Sequence, residues 1–262
     1  MRLSISNIAW TSENDCEMYD YIKNIGFEGI EIAPTRIFQN EPYNNLEMAK
    51  KYAIQLKQNY GLAISSMQSI WYGRTEKIFG SNEERKVLAN YTRKAIDFAS
   101  SMNCKNVVFG CPKNRISENA NDMEIAISFF KELGEYAKEK KTVISMEPNP
   151  VIYNTNFINY TSEAFQISRI VNSDSFKVNI DLGTVIYNNE AISMISDNID
   201  LVNHVHISEP NLALIEKRKL HVELANILRQ VKYDKFVSIE MGKRENLDEI
   251  KQTIKYIKEV FS

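Results

Sequence analysis

Lys177-Val-Asn-Ile-Asp-Leu-Gly-Thr-Val-Ile-Tyr (177–187), followed by Val202-Asn-His-Val-His-Ile-Ser-Glu (202–209), sets the pattern of the whole chain. Each segment begins with a short apolar run and ends in residues that carry charge or bind protons. A helical stretch lies between them. Runs this short that are apolar on both faces suit strands covered by helices on one side and packed on the other.

The same unit recurs in both directions. Towards the N-terminus, strands are predicted at Leu3–Ala9, Gly29–Ala33, Leu62–Met67, Asn106–Gly110 and Thr142–Met146; Lys177–Ile180, Val202–Ile207 and Phe236–Ile239 complete the set. Helical patterns separate them. One starts near Ser12, with Tyr19, Ile22 and Ile25 on one face, and stops at Gly26. Others cover about 45–59 (closed by Gly61), 82–102, 121–138, 223–231 and 246–260. Eight strands in strict alternation with eight helices imply parallel strands joined by right-handed crossovers. At 262 residues the chain matches one (β/α)8 TIM barrel, typically about 250 residues, as a single domain over 1–262. A doubly wound open sheet fits less well, because Asn7–Ser12 after the first strand contains no glycine for a phosphate loop.

Composition narrows the partners. The net charge of −2 gives no basic face for nucleic acid and no reason to meet an anionic membrane. No apolar run is long enough to span a bilayer, and the N-terminus does not read as a signal peptide. Cys16, Cys104 and Cys111 are odd in number and scattered, which points to reduced thiols and a cytoplasmic protein. No patch in the sequence decides between a monomer and a homo-oligomer.

Chemistry in such barrels belongs to the C-terminal strand ends. There four neighbouring strands deliver Glu147, Asp181, His206 and Glu240. Their spacings of 34 (147 to 181), 25 (181 to 206) and 34 (206 to 240) are each about one βα unit, so the four side chains are expected at similar heights. Singly, an acid there is more often a helix cap or an ion-pair partner, and a histidine more often a buried hydrogen-bonded residue, than a ligand. Together, three carboxylates would repel one another unless a cation sits between them. Three oxygens and one imidazole suit one divalent metal ion: Mn, Mg, Co or Zn. His204 shares a strand face with His206; His206, nearer the end, is the expected ligand, and His204 the support beneath it.

In these residues the chain resembles the xylose isomerase-like barrels, which include sugar isomerases, sugar epimerases and AP endonucleases. The resemblance runs from Gly26-Phe-Glu-Gly-Ile-Glu-Ile32 to Val237-Ser-Ile-Glu-Met241, through Met146-Glu-Pro-Asn149, Asn179-Ile-Asp-Leu-Gly-Thr184 and His204-Val-His-Ile-Ser-Glu209. It is nearest the ketose 3-epimerase branch, in which two glutamates, an aspartate and a histidine hold one metal; Glu147, Asp181, His206 and Glu240 occupy those positions. Many relatives carry a histidine where this chain has Thr184. The resemblance implies an isomerase or epimerase acting on a ketose or related keto-sugar, free or phosphorylated. Glu147 and Glu240 would then be the acid–base pair that moves a proton next to the carbonyl through an enediolate. A dehydratase of a keto-inositol-type substrate, a hydrolase and a non-catalytic sugar-binding barrel are the alternatives. With three histidines in the chain, a trinuclear DNA-repair site is not expected.

Further residues at or after strand ends are candidates for substrate contact. Glu31 could bind sugar hydroxyls or pair with a barrel lysine, Asn149 and Glu209 are further candidates, and Trp71 could cover a sugar face or pack internally. Lys113 and Arg115, beside Pro112, could hold a hydroxyl, carboxylate or phosphate or form a solvated basic turn, and His221 could reach the site or cap a helix.

Overall fold

The computed structural model describes residues 1–262. Its eight strands form a closed barrel in chain order, every neighbouring pair parallel, and the last pairs with the first. The strands are β1 Arg2–Ser6, β2 Gly29–Ile32, β3 Ala63–Met67, β4 Val107–Phe109, β5 Ile144–Met146, β6 Phe176–Asp181, β7 Val202–Ile207 and β8 Phe236–Ile239. The helices are α1 Asp15–Asn24, α2 Pro34–Ile37, α3 Leu46–Tyr60, α4 Asn82–Ser101, α5 Asp122–Glu139, α6 Thr161–Val171, α7 Leu182–Asn188, α8 Met194–Asp197, α9 Lys219–Gln230 and α10 Leu247–Phe261.

All eight expected strands are present, with two differences. The first stops at Ser6, and residues 7–9 turn into a 3-10 helix. The cause is Asn7, whose side-chain carbonyl accepts the Ala33 amide at 3.0 Å and ties the chain to the end of β2. The alternation is also not strictly one helix per strand, because the β2 and β6 crossovers each carry an extra short helix, α2 and α8. Proline at the start of α2 presets the helical φ and lacks the amide that would go unpaired there.

Each long helix buries one stripe and leaves the other in water. In α4 the buried face includes Leu88, Ala95, Ile96, Phe98 and Ala99, and the helix opens on a capping box between Ser81 and Glu84. One apolar cluster, containing Ile5, Ile30, Phe109, Ile144, Val178 and Ile239, joins the outer faces of the strands to these helices. No helix is long and apolar enough to cross a membrane.

Inside the barrel the lining turns polar towards the C-terminal ends. Ser4, Ser6, Glu31, Asn179, His204, His206 and Ser238 are all buried there. Register sets the heights: Asp181 lies opposite His206 and Asn179 opposite His204. The expected single-domain (β/α)8 barrel is therefore the observed fold, and its C-terminal rim carries the polar residues.

Candidate metal centre at the strand ends

β5, β6, β7 and β8 bring Glu147, Asp181, His206 and Glu240 together, with one ligand atom from each lying within 4.8 Å of all the others. His206 Nδ1 lies 2.9 Å from Glu147 Oε1 and 3.2 Å from Glu240 Oε2. The three carboxylates line a chamber of about 200 Å³. His206 is fully buried and lies behind that wall, against Glu147 and Glu240. Ligand bonds of about 2.0–2.2 Å place the donors of one ion up to about 4.4 Å apart. No two donors are more than 4.8 Å apart, so a small contraction lets the four residues close on one divalent cation.

Electrostatics point the same way. Burial, and next the charge of Glu147, push the Asp181 carboxyl above its usual range, and burial does the same to Glu240. Burial alone would lower the His206 pKa, but Glu240 and Glu31 raise it well above normal. The centre thus draws positive charge to itself, and a bound cation would meet that demand.

Each ligand is held by neighbours. The Glu147 oxygens accept from Asn179 Nδ2 at 2.7 Å and Asn149 Nδ2 at 3.1 Å. Asp181 caps α7, accepting the Thr184 amide at 2.8 Å and lying 2.7 Å from the Thr184 hydroxyl. Its other oxygen accepts from Ser208, which in turn accepts the Gly183 amide. Asp181 is thus a helix cap and a centre residue at once. The threonine standing where many relatives carry histidine is bonded to that carboxylate. Gly110 leaves Glu147 its present position, because a Cβ there would lie 2.7 Å from Glu147 Oε2 and push the carboxylate aside.

His206 meets Glu31 on its far side, at 2.8 Å from Nε2. An Nε2–H donated to this carboxylate leaves the Nδ1 lone pair facing the centre, the usual arrangement behind a metal-binding imidazole. Glu31 also accepts from Gln68 Nε2 at 3.0 Å. Burial would raise its pKa, but His206 and His204 outweigh that and hold the carboxyl low. His204 lies deeper, with Nε2 at 3.3 Å from the same Glu31 oxygen, and forms with Glu31 and His206 a second cluster of potential ligands.

The other sequence candidates separate clearly. Asn149 lines the chamber. Glu31 lies under His206, out of reach of a ligand in the chamber. Arg115 is buried and points away from the opening; it donates to the carbonyls of Gly110, Phe157, Ile158 and Glu147 and to Asn149 Oδ1. Lys113 is exposed and absent from the chamber wall. Trp71 donates its indole N–H to Thr92 at 2.8 Å and packs against Phe109 and Phe129. Glu209 borders the chamber, but its carboxylate holds Arg218 through two 2.7 Å bonds. His221 is buried in α9 against the Tyr256 hydroxyl, 3.0 Å away.

Gln68, Asn179, Ser208, Tyr153 and Leu212 were not among the sequence candidates, yet they support or line the centre. Two of them carried a readable signal. Asn179 stands two before Asp181 and Ser208 two after His206, which puts each pair on one strand face.

His221 gives a pH test of the fold. Burial lowers its pKa from 6.5 to about 4, so the unfolded chain binds its proton more readily than the folded one. Its stabilising share is complete above pH 6.5 and is lost as pH falls to 4, by up to about 3 kcal/mol. H221F should flatten the slope of stability between these pH values in urea titrations; an unchanged slope would exclude His221 as the source.

Comparison with known proteins agrees with the fold. The family model described as xylose isomerase-like TIM barrel matches residues 19–260. No curated protein matches the chain in sequence. Among solved structures, 3-keto-D-glucoside 4-epimerase from E. coli superposes with a TM-score of 0.79 at 21% identity, covering 99% of each chain. D-psicose 3-epimerase from Clostridium cellulolyticum H10 superposes at 0.76 with 13% identity over 100% of both chains. An AP endonuclease of family 2 from Brucella melitensis reaches 0.72 at 18% identity, with 94% of this chain and 95% of that one covered. With eight parallel strands closed into a barrel and a family match over residues 19–260, this chain belongs to the xylose isomerase-like TIM barrel family.

Proposed function

We propose that the protein is a divalent-metal-dependent sugar isomerase or epimerase that moves a proton next to the carbonyl of a ketose or related keto-sugar. The observation that carries this reading is the meeting of Glu147 and Glu240 on one imidazole nitrogen, with Asp181 beside them, where the three carboxylates line a small chamber. The epimerases among the structural relatives are consistent with it.

Asp181 and His206 would mainly hold the ion, and Glu147 and Glu240 would hold it and exchange protons with substrate. A bound divalent ion supplies Lewis-acid polarisation of the carbonyl and makes the neighbouring C–H more acidic. One glutamate takes that proton, which leaves an enediolate, and the other returns a proton to the opposite face. Return to the same carbon epimerises the sugar; return to the adjacent carbon interconverts aldose and ketose. Asn149 and Asn179 fix both Glu147 oxygens and thereby its orientation.

Metal analysis and isotope exchange test this reading together. The purified protein should bind one divalent ion per chain and incorporate solvent deuterium next to the carbonyl of a keto-sugar; chelation should stop the exchange. E31Q, which weakens the carboxylate behind His206, should lower metal affinity by about 10–100-fold. A protein that binds no divalent ion, or exchanges equally well after chelation, would refute the proposal.

A further inference from the structure

The metal chamber does not stand alone. A second cavity of about 860 Å³ lies beside it over the loops that follow β1, β2, β3 and β8, and Ser69 lines both. The chamber, at about 200 Å³, falls below the roughly 300–1,000 Å³ common for small-molecule sites, and the neighbouring cavity falls within that range. A ligand that filled only the chamber would leave the larger space unused.

The chemistry of this space is specific. Thr11, Ser12, Thr35, Gln39 and Asn40 supply hydroxyl and amide groups suited to sugar hydroxyls. Tyr72, 71% exposed, and Tyr91 supply aromatic surface of the kind that packs against a ring. The two arginines in the wall are already engaged, and the one lysine, Lys243, sits in an exposed pair and offers no guanidinium fork. Arg36 is held by Asp15 at 2.6 Å, Arg74 by Glu76 and Lys243 by Glu245 at 2.8 Å. Arg74 also lies over the Tyr91 ring. Glu41 in the same wall has no cation partner, and neither lysine nor arginine lines the metal chamber. Nothing in either space is free to pair with a phosphate in the bidentate way that strong phosphate recognition uses.

We infer that the second cavity binds an uncharged second ring of the substrate, so that the substrate is a keto-sugar joined glycosidically to another sugar or to a planar aglycone. This rests on the function proposed above, which places the keto-sugar in the chamber. The second ring then packs on Tyr72 and bonds to the loops after β1 and β2.

Calorimetric titration of the purified protein with cellobiose, phenyl β-D-glucoside, glucose and glucose 6-phosphate tests the cavity without turnover. The two glycosides should bind at least roughly tenfold more tightly than glucose, and Y72A should remove most of that gain. Tyr72 is exposed, so the variant should fold normally. Glucose binding as well as cellobiose, or glucose 6-phosphate binding more tightly than both glycosides, overturns the inference. Deuterium exchange with 3-keto-cellobiose and 3-ketoglucose separates the two proposals. A preference of about tenfold in kcat/KM for the glycoside, reduced in Y72A, supports the cavity assignment. Equal exchange of both sugars overturns it and leaves the isomerase reading intact. Tyr72-dependent glycoside binding with no exchange of either sugar supports the cavity and removes the isomerase reading.

Discussion

E240Q should lower turnover by about 10²–10⁴-fold while the barrel remains folded, because that is the usual contribution of a positioned carboxylate to proton transfer. Glu240 ends β8 with its side chain buried in the chamber wall, 3.2 Å from His206 Nδ1. Glutamine keeps the shape but neither carries the charge nor exchanges the proton. The metal-free fold should not suffer at neutral pH. Burial raises the Glu240 pKa, so the folded state binds its proton more tightly than the unfolded chain and loses that advantage as pH rises through the raised value. A neutral amide escapes this loss. Isotope exchange and thermal melting of the same samples check both parts. Exchange within tenfold of wild type would remove Glu240 from the acid–base pair.

R115M should be the most damaging change to stability, at about 3–5 kcal/mol. The Arg115 guanidinium is fully buried among acceptors: Gly110 O at 2.7 Å, Ile158 O at 3.2 Å, Glu147 O at 3.0 Å, Asn149 Oδ1 at 2.6 Å and the carbonyl of Phe157. Burial pushes its pKa down to about 10, still charged at neutral pH. Methionine fills similar space but removes a donor from each of these oxygens; Ile158 O keeps the Asn149 amide at 3.1 Å, and each oxygen left unsatisfied costs about 1–3 kcal/mol. In a chain of this size each kcal/mol lowers Tm by about 2–4 °C, so a fall of about 6–20 °C is expected in calorimetry. The site should loosen as well, because Arg115 pins the strand ends that carry Gly110 and Glu147. A Tm within 2 °C of wild type would exclude this role.

The contrast between these two residues shows what the sequence could disclose. Glu240 was legible because strand periodicity and barrel topology together dictate where a β8 end must lie. The same logic placed Glu147, Asp181 and His206 at one level, and the observed register agrees for Asp181 and His206. Arg115 was not legible as a buried strut. It lies in a loop after β4, and periodicity says nothing about the path of a loop; a cation there reads first as exposed or substrate-facing. Trp71 illustrates the same gap, since its position after β3 left open whether it faced a ligand or Thr92. Glu31 lay on a strand and was placed correctly along it. Its partner, His206, is 175 residues away, and only the closed barrel brings them together.

That closure also bears on how the protein is made. β1 is bonded on one side to β2 and on the other to β8, with Ser4 opposite Ser238 and Ile5 opposite Ile239. Until Phe236–Ile239 leaves the ribosome, the outer side of β1 has no native strand to pair with. The nascent sheet keeps two unpaired edges until β8 emerges, and such edges template association with other chains. The last short strand therefore does more than supply Glu240: its arrival ends the period in which the newborn chain is most exposed to aggregation.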